Sequence, residues 1–202
     1  GTGMNVARQI GLSLGVPQTS PAFTVNMVCG SGLKAVMLAA DAIAAGESSL
    51  VLAGGVESMS RAPHYASDLR WGKKLGAAEF PDAIIVDGLT DPVLEIGMGE
   101  TAERIAERCG IARAAQDEYA WRSQQRVAAA RTAFAREIVP ITTKEGAVAA
   151  DEHPRSDTTV EQLARLKPAF RTNGTVTAGN SSGINDGAAF ALVASEAAVG
   201  RH

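Results

Sequence analysis

The sequence predicts an α/β fold, and three neighbouring segments near the N-terminus indicate it. Residues 22–28 alternate apolar and polar side chains, as a half-buried strand does. Residues 33–44 carry apolar side chains at helical spacing, and Gly46 follows where a left-handed C-terminal cap is expected. Residues 49–55 form a short apolar run that ends in two glycines, which is typical of an interior strand. Strand, helix and strand in this order predict a right-handed βαβ unit, whose alanine-rich helix is expected to be buried on nearly all sides.

The middle of the chain is irregular and is followed by two helical patterns. Residues 58–99 contain glycines, prolines and charges with little periodicity, which indicates either a functional segment or an excursion packed on a partner. The next two segments predict amphipathic helices. Their apolar faces are formed by Ala102, Ile105, Ala106 and Cys109 in the first helix, and by Ala120, Val127, Ala130 and Phe134 in the second.

The last quarter of the chain predicts short elements separated by turns. Residues 144–146 (KEG) lie between two β-like runs and predict a hairpin, with Pro140 indicating an edge strand. A short helix is expected near residues 159–165. A loop rich in glycine and asparagine comes next, and residues 188–195 (AAFALVAS) then predict a buried strand before the first turns of a final helix.

Composition and charge exclude several classes of protein. The 202 residues are 46% hydrophobic and carry a net charge of −3, values that are ordinary for a globular domain. This weakly negative balance lacks the basic footprint of a nucleic-acid-binding protein, and no uncharged apolar run is long enough to cross a bilayer. The two cysteines are far apart, so we expect a reducing, cytoplasmic location and not a disulfide framework. No ligand cluster with metal spacing is present in the sequence.

Cys29 lies where the predicted strand passes into the predicted helix. The first N–H groups of a helix carry partial positive charge, which stabilises a thiolate and favours a nucleophile. Gly30 and Gly32 leave the sulfur uncrowded, in an arrangement similar to the nucleophile elbow of hydrolases. A small buried apolar cysteine is the alternative interpretation. Cys109 serves as the comparison, because its place on an apolar helix face before Gly110 predicts a packed structural cysteine.

A series of longer motifs then extends over nearly the whole chain. In chain order they are NMVCGSGLKA, AGGVESMS, RAPHY, DGLTDP, MGETAE, KPAF, GTVTAGNSSGINDGAA and ALVASEAA. Together they resemble the thiolases, the enzymes that make and cleave 3-ketoacyl-CoA. A match in this order is far more specific than one short motif, and it implies that Cys29 is the nucleophile.

The resemblance implies a thiolase-like, layered α-β-α-β-α fold, of which this chain is the central portion. Residues 1–58 are then the rear of an N-terminal domain that carries the nucleophile. Residues 59–185 are a loop domain that binds coenzyme A, and residues 186–202 begin a C-terminal domain. The implied reaction is thiolysis of 3-ketoacyl-CoA, as in β-oxidation, or the reverse Claisen condensation. Acyl-CoA and coenzyme A are substrates, no permanently bound cofactor is expected, and the full-length form is expected to be a homodimer or homotetramer.

The resemblance also assigns roles to individual residues. Cys29 is the acyl carrier, and its backbone N–H matches an oxyanion donor. The residues that match contacts to the pantetheine arm are Ala178, Gly179, Ser182 and Gly183. The residues that match the lining of the same tunnel are Leu89, Met98 and Phe170, while Arg155 matches a position near the adenine. Without the resemblance, Leu89 and Phe170 are equally well core residues and Arg155 is a solvated charge. Asn180, Asn185 and Asp186 are expected to hold the loop through side-chain-to-backbone bonds.

Several features depart from the family pattern. Gly97 stands where short-chain biosynthetic members carry a histidine, so the chain-length preference stays open. Arg70, Lys73 and Lys74 either meet coenzyme A phosphates or a neighbouring subunit, or form a solvated loop, which is the favoured interpretation. The histidine, second cysteine and asparagine-held water of the family lie beyond the last residue of this chain. We therefore expect the isolated chain not to complete the catalytic cycle.

Three alternatives remain open from the sequence alone. One is a ketosynthase-like condensing enzyme that uses an acyl carrier protein. Another is a non-catalytic, thiolase-like protein that binds acyl-CoA or lipid without an activated Cys29. The last is that the chain is part of a longer protein, which predicts exposed apolar patches and misassembly in solution.

Overall fold

The computed structural model describes residues 2–201, which form two compact units. The first unit comprises residues 2–88 and 184–201, and the second spans Leu89–Gly183. The α-helices, in chain order, are α1 (Val6–Ser13), α2 (Ser31–Ala44), α3 (Met98–Cys109), α4 (Arg113–Phe134), α5 (Val160–Ala164) and α6 (Glu196–Val199). The strands are β1 (Leu50–Ser58), β2 (Thr90–Asp91), β3 (Ile96–Gly97), β4 (Ile141–Thr143), β5 (Gly146–Val148) and β6 (Asp186–Ala194). Short 3₁₀ turns at Met59–Arg61 and Ser67–Leu69 and a π-helix at Ile84–Leu89 complete the elements.

The first unit is built on a long antiparallel pair of strands. β1 and β6 pair along nine residues each, from Leu50 opposite Ala194 to Ser58 opposite Asp186. Helix α2 packs on both strands. The two elements are in close contact: a Cβ on Gly55 of β1 would lie 3.6 Å from the Cα of Gly32 in α2, which is an ordinary van der Waals distance. The start of α2 is therefore held directly against the sheet.

The second unit has a core in which buried polar groups are prominent. Helices α3 and α4 are its longest elements, and α5 packs on α4. The most buried apolar residues of this unit are Ala106, Leu163 and Val176. Three polar residues are buried at least as deeply: Glu103, Asp117 and Thr177 have exposed fractions of 2%, 1% and 0%. These three residues carry the hydrogen bonds that organise the unit, as described below.

Predictions that depend on local signals are confirmed. Helix α2 lies where the apolar periodicity places it, and Gly46 after it has φ +76°. Helix α3 ends before Gly110, whose φ of +64° is the left-handed cap that glycine favours. Strands β4 and β5 form the predicted hairpin around KEG. Helix α5 begins with a capping box in which Thr159 and Gln162 bond each other's backbone N–H groups.

The predicted strand at residues 22–28 is wrong, and with it the predicted βαβ unit. Residues 21–26 belong to no β-ladder and run along the start of α1 instead. The side-chain amide of Asn5 donates to the carbonyl of Ala22 at 2.9 Å, and the Ala7 N–H donates to the Thr24 hydroxyl at 3.4 Å. Alternating side chains favour extended backbone, but a strand also requires a partner, which local sequence cannot supply.

The predicted burial of three elements is also wrong for the residues described. In α2 only Ala39 is buried, and Leu33 and Met37 are exposed. Strand β6 is exposed over most of its length, because it pairs with β1 and has one helix beside it. Cys109, expected to be packed, is exposed at the last turn of α3. Over residues 2–201, no helix combines the length and the apolar character needed to cross a membrane.

The compact units divide the chain at other positions than the predicted domains. The sequence predicts boundaries after residues 58 and 185, whereas the boundaries between the units along the chain fall after residues 88 and 183. The reason is that β6 pairs with β1 along its whole length, which joins the last segment to the first unit. Gly1 and His202, at the ends of the predicted domains, lie outside the described residues. The correspondence of these units to domains of a thiolase stays a prediction.

The β1–β6 pairing predicts different costs for alanine at two adjacent glycines. A Cβ on Gly54 would overlap the Phe190 ring and the Ala189 carbonyl of β6, and would lie 2.8 Å from the Phe190 Cα. We expect Gly54→Ala to lower the free energy of unfolding by about 1–3 kcal/mol, measured by urea denaturation, because the strands must separate to admit the methyl group. Gly55→Ala is the control, because its Cβ makes ordinary contact only. Equal losses in the two variants would contradict this packing.

Candidate functional site

Cys29 is exposed at a strained turn just before α2. Val28, the residue before it, has φ +47°, in the left-handed region that β-branched residues rarely enter. Such a conformation costs about 1–3 kcal/mol and persists only where neighbouring groups impose it. The sharp change of chain direction brings Cys29 to the surface two residues before the helix begins.

Side chains on both sides of Cys29 hold this turn. The side-chain amide oxygen of Asn26 accepts a hydrogen bond from the Val28 N–H at 3.0 Å. The Ser31 hydroxyl accepts the Met27 N–H at 2.8 Å and donates to the Val28 carbonyl at 2.7 Å. Position 30 favours glycine, because a Cβ there would make a tight contact of 3.3 Å with the Met27 carbonyl oxygen. The motif NMVCGS therefore encodes the turn that presents Cys29.

Three residues predicted to line a tunnel meet at the start of α3 in the second unit. The Phe170 ring lies against the backbone of Gly99, so closely that a side chain on Gly99 would overlap it. Met98, the first residue of α3, is adjacent to this contact. A Cβ on Gly97 would lie 3.8 Å from the Leu89 carbonyl oxygen, which places the Leu89 backbone beside the same helix start. Phe170 is half-exposed and Leu89 is partly buried, so both can offer apolar surface to a ligand.

The loop that follows is anchored by the carboxylate of Glu103 in α3. Glu103 accepts the Val176 N–H at 2.8 Å and the Thr175 N–H at 2.8 and 3.0 Å. It also accepts the Thr175 hydroxyl at 2.9 Å. Burial raises the pKa of Glu103, but the N–H donors of Val176 and Thr175 outweigh it, so the pKa lies below its ordinary value of 4.5.

A second buried carboxylate holds the next part of the loop. Asp117 of α4 accepts the Asn180 side-chain amide at 3.0 Å and the Arg113 guanidinium at 2.7 Å. Asn180 in turn accepts the Thr177 N–H at 2.8 Å and donates to the Thr175 carbonyl at 3.1 Å. The expected loop-holding role of Asn180 is therefore present in the structure.

The four predicted pantetheine-arm residues lie on this anchored loop. Gly179 packs so closely on Leu163 and Leu166 that any side chain at this position would overlap both. Ala178, Ser182 and Gly183 are exposed. The loop is thus fixed from within by polar bonds and offers small groups on its open side.

Arg155 lies in another part of the second unit. Its backbone N–H donates to the Gln124 side chain at 2.8 Å, which ties residues 155–158 to the middle of α4. Its own side chain is exposed. The structure therefore brings Leu89, Met98 and Phe170 together, while Cys29 belongs to the first unit and Arg155 lies beside α4.

A network of arginine and glutamates flanks the anchored loop. Arg171 donates to both oxygens of Glu100 at 2.7 Å, and it also pairs with Glu107. The Arg171 guanidinium lowers the pKa of Glu100 to about 2, and the same bonds raise the pKa of Arg171. Because Arg171 directly follows Phe170, these ion pairs connect the Phe170 segment to the first and third turns of α3.

Sequence reasoning missed Glu103, Asp117, Arg113 and Arg171. The signal for Asp117 was its position, three residues before Ala120 on the line of the predicted apolar face. Glu103 shares a face with Gly99 and Ala106 in the same manner. An acidic residue among small apolar ones at helical spacing indicates a buried carboxylate that requires donors. Among residues 2–201, no cluster of His, Cys, Asp or Glu has the arrangement of a metal site.

The Glu103 anchor predicts a pH-dependent contribution to stability. Because its pKa is lowered on folding, the contribution is complete above the ordinary value of 4.5 and is lost as the pH falls through the folded-state pKa. We expect Glu103→Gln to lower the free energy of unfolding at pH 7 by about 3 kcal/mol, because an amide satisfies fewer of the three donors. The difference between wild type and variant, measured by urea denaturation, should shrink at acid pH.

Glu107→Gln in the same helix is the matched control. Glu107 is 67% exposed, so its bond to Arg171 is expected to contribute less than about 1 kcal/mol. A loss at Glu103 as small as that at Glu107, or one that does not change with pH, would contradict the anchoring role.

Comparison with known proteins places these features in a family. The family model described as "Thiolase, N-terminal domain" matches residues 1–197. A probable acetyl-CoA acyltransferase of Staphylococcus aureus (strain COL) is 48% identical over 203 residues, covering 97% of this chain and 52% of that protein. An acetyl-CoA acetyltransferase of Chromobacterium violaceum is 50% identical over 202 residues, covering 96% of this chain and 52% of that protein. The chain spans about half the length of the curated relatives it matches.

Solved structures agree with this assignment. The human mitochondrial 3-ketoacyl-CoA thiolase in complex with CoA superposes with a TM-score of 0.90 at 43% identity, covering all of this chain and 51% of that one. An acetyl-CoA acetyltransferase from Syntrophomonas wolfei gives a TM-score of 0.92 at 38% identity, covering all of this chain and 51% of that one. The fold is therefore part of the thiolase-like α/β fold, and the chain belongs to the thiolase family.

Proposed function

We propose that this chain carries the acyl-accepting half of a thiolase-type acyltransferase, with Cys29 as the residue that is acylated. The observation that carries the proposal is the exposed Cys29 on a strained turn at the start of a helix. The names of the relatives support it, since they are acetyl-CoA acyltransferases and acetyltransferases.

The geometry suits a nucleophile for physical reasons. The positive end of α2 favours negative charge on the nearby sulfur and on an oxyanion that forms beside it. The neighbouring glycines at positions 30 and 32 add no side-chain bulk, and a Cβ on Gly32 would meet nothing within 4 Å. Space is therefore open at position 32, near the exposed Cys29.

The proposed chemistry is transfer of an acyl group first to Cys29, with cleavage of a carbon–carbon bond, and then to coenzyme A. In thiolysis, the Cys29 sulfur bonds to the 3-keto carbon, and the bond between carbons 2 and 3 breaks. The electron pair leaves with acetyl-CoA, which is protonated at carbon 2. The sulfur of coenzyme A then takes the acyl group, and Cys29 leaves as the thiolate, so that no net oxidation occurs. Condensation follows the same steps in reverse.

The second unit is proposed to hold coenzyme A. Ala178, Gly179, Ser182 and Gly183 are expected to contact the pantetheine arm, because a thin arm requires small groups on an ordered loop. Leu89, Met98 and Phe170 would line its path, and Arg155 would lie near the adenine. In support, the first set lies on one anchored loop and the second set gathers at the start of α3.

Other properties of the whole protein stay proposals. They are the inability of these residues alone to complete the cycle, the homodimeric or homotetrameric state, the role in β-oxidation or biosynthesis, and the cytoplasmic location. Each concerns the whole protein, whereas this chain spans about half the length of the relatives it matches.

Acetylation of the purified chain tests the proposal. We expect incubation with excess acetyl-CoA to add one acetyl group, detected as intact mass, and peptide mapping to locate it on Cys29. The physical reason is that the α2 start favours a reactive sulfur at this position. Hydroxylamine should remove the group, as expected for a thioester.

Two variants control for accidental modification. Cys29→Ala should abolish the adduct, whereas Cys109→Ala should leave it unchanged. An acetyl group on Cys109, or no adduct on a folded chain, would contradict Cys29 as acyl acceptor. Coenzyme A binding without any adduct would favour a non-catalytic acyl-CoA-binding protein.

A further inference from the structure

We propose that Asp117 is a positioning residue for coenzyme A binding, acting through Asn180 and Arg113 without touching the ligand. The inference rests on the proposed function, because it assumes that the loop at residues 177–183 binds the pantetheine arm. Asp117 lies on α4, in a segment that neither the sequence motifs nor the predicted site included.

Asp117 is buried more completely than a surface-helix aspartate is expected to be. Its exposed fraction is 1%, and its side chain is 2% exposed. A buried carboxylate is costly unless charged or polar donors surround it. Here each oxygen has one donor, Arg113 at 2.7 Å on Oδ2 and Asn180 at 3.0 Å on Oδ1. The carboxylate therefore joins two groups that otherwise have no direct link in the described contacts.

The Asn180 branch sets the backbone of the loop. With its amide held by Asp117, Asn180 points its carbonyl oxygen at the Thr177 N–H, 2.8 Å away. Thr177 is fully buried, and its hydroxyl accepts the Gly179 N–H at 3.2 Å. The bonds from Asp117 to Asn180, Thr177 and Gly179 are thus consecutive, and they fix the turn that contains Ala178.

The Arg113 branch sets the surface under the same turn. Arg113 donates to the carbonyls of Leu163 and Leu166 at 2.6 and 3.0 Å, at the end of α5. The side chains of these two leucines pack against Gly179. Both the turn and the apolar surface beneath it are therefore held by one carboxylate. Loss of the charge should loosen the loop without removing any group that touches coenzyme A.

The test compares two charge-removing variants on adjacent residues of α4. Asp117→Asn keeps the shape of the side chain but can accept from only one of the two donors at a time. Glu118→Gln removes an exposed charge and is the matched control, because both variants change the attraction to anionic coenzyme A alike. Coenzyme A affinity is measured by calorimetry on the folded chain, and amide hydrogen exchange is measured residue by residue.

We expect Asp117→Asn to raise the Kd for coenzyme A by about tenfold or more and to speed exchange at Thr177 and Gly179 by a similar factor. Exchange in the middle of α4 should stay unchanged, which a general loss of stability would not allow. Glu118→Gln should leave both quantities near the wild-type values. Asn180→Ala, which leaves the Arg113–Asp117 pair intact, should reproduce the effect if Asp117→Asn does not fold.

Each other outcome overturns the inference in a recognisable way. Faster exchange at Thr177 with an unchanged Kd would show that coenzyme A does not depend on the loop geometry. Unchanged exchange and Kd in both variants would show that Asp117 does not position the loop. Wild-type chain that binds no coenzyme A would contradict the proposed function itself, and it would be seen before any variant is compared.

Discussion

One constraint underlies this structure: backbone N–H groups outside the helices and strands need hydrogen-bond acceptors from elsewhere. A buried N–H requires an acceptor, and the irregular segments of this chain obtain theirs from side chains. Side-chain oxygens accept these N–H groups: Glu103 accepts those of Thr175 and Val176, Asn180 accepts that of Thr177, and Asn26 accepts that of Val28. These oxygens lie on or beside helices and, together with backbone bonds such as that from the Ala169 N–H to the Val176 carbonyl, they hold the loops in place. The proposed pantetheine contacts on the loop at residues 177–183 follow from that arrangement, and so does the position of Arg155, whose N–H donates to Gln124 of α4.

The two units use this constraint for different purposes. In the first, a few side-chain bonds hold a strained turn, and the strain leaves a cysteine exposed at a helix start. In the second, buried carboxylates hold a loop whose open side is made of small residues. One arrangement suits a reactive atom and the other suits a passive wall for a thin substrate. Each matches one requirement of the proposed acyl transfer, which needs a reactive sulfur and a wall for a long, narrow ligand.

Elements that depend on neighbouring residues could be predicted from the sequence, whereas elements that depend on distant partners could not. Helix α2, the β4–β5 hairpin and the α5 capping box follow from spacing, glycine and caps within a few residues. The strand expected at residues 22–28 fails because a ladder requires a second strand from elsewhere in the chain. Cys29 was singled out by its place before a helix and by the motif around it, both of which are local, and its role as nucleophile stays a prediction. Asp117 was missed because its partner Asn180 lies 63 residues away.

The central claim is that the position of Cys29, and not cysteine chemistry in general, makes it reactive. The chain supplies its own comparison, because Cys109 is also exposed but lies at the last residue of α3, where a helix end disfavours negative charge. Competitive alkylation by iodoacetamide at neutral pH, followed residue by residue, measures the difference directly. The account predicts that Cys29 reacts about tenfold faster than Cys109 or more. Equal rates, or a faster Cys109, would contradict it.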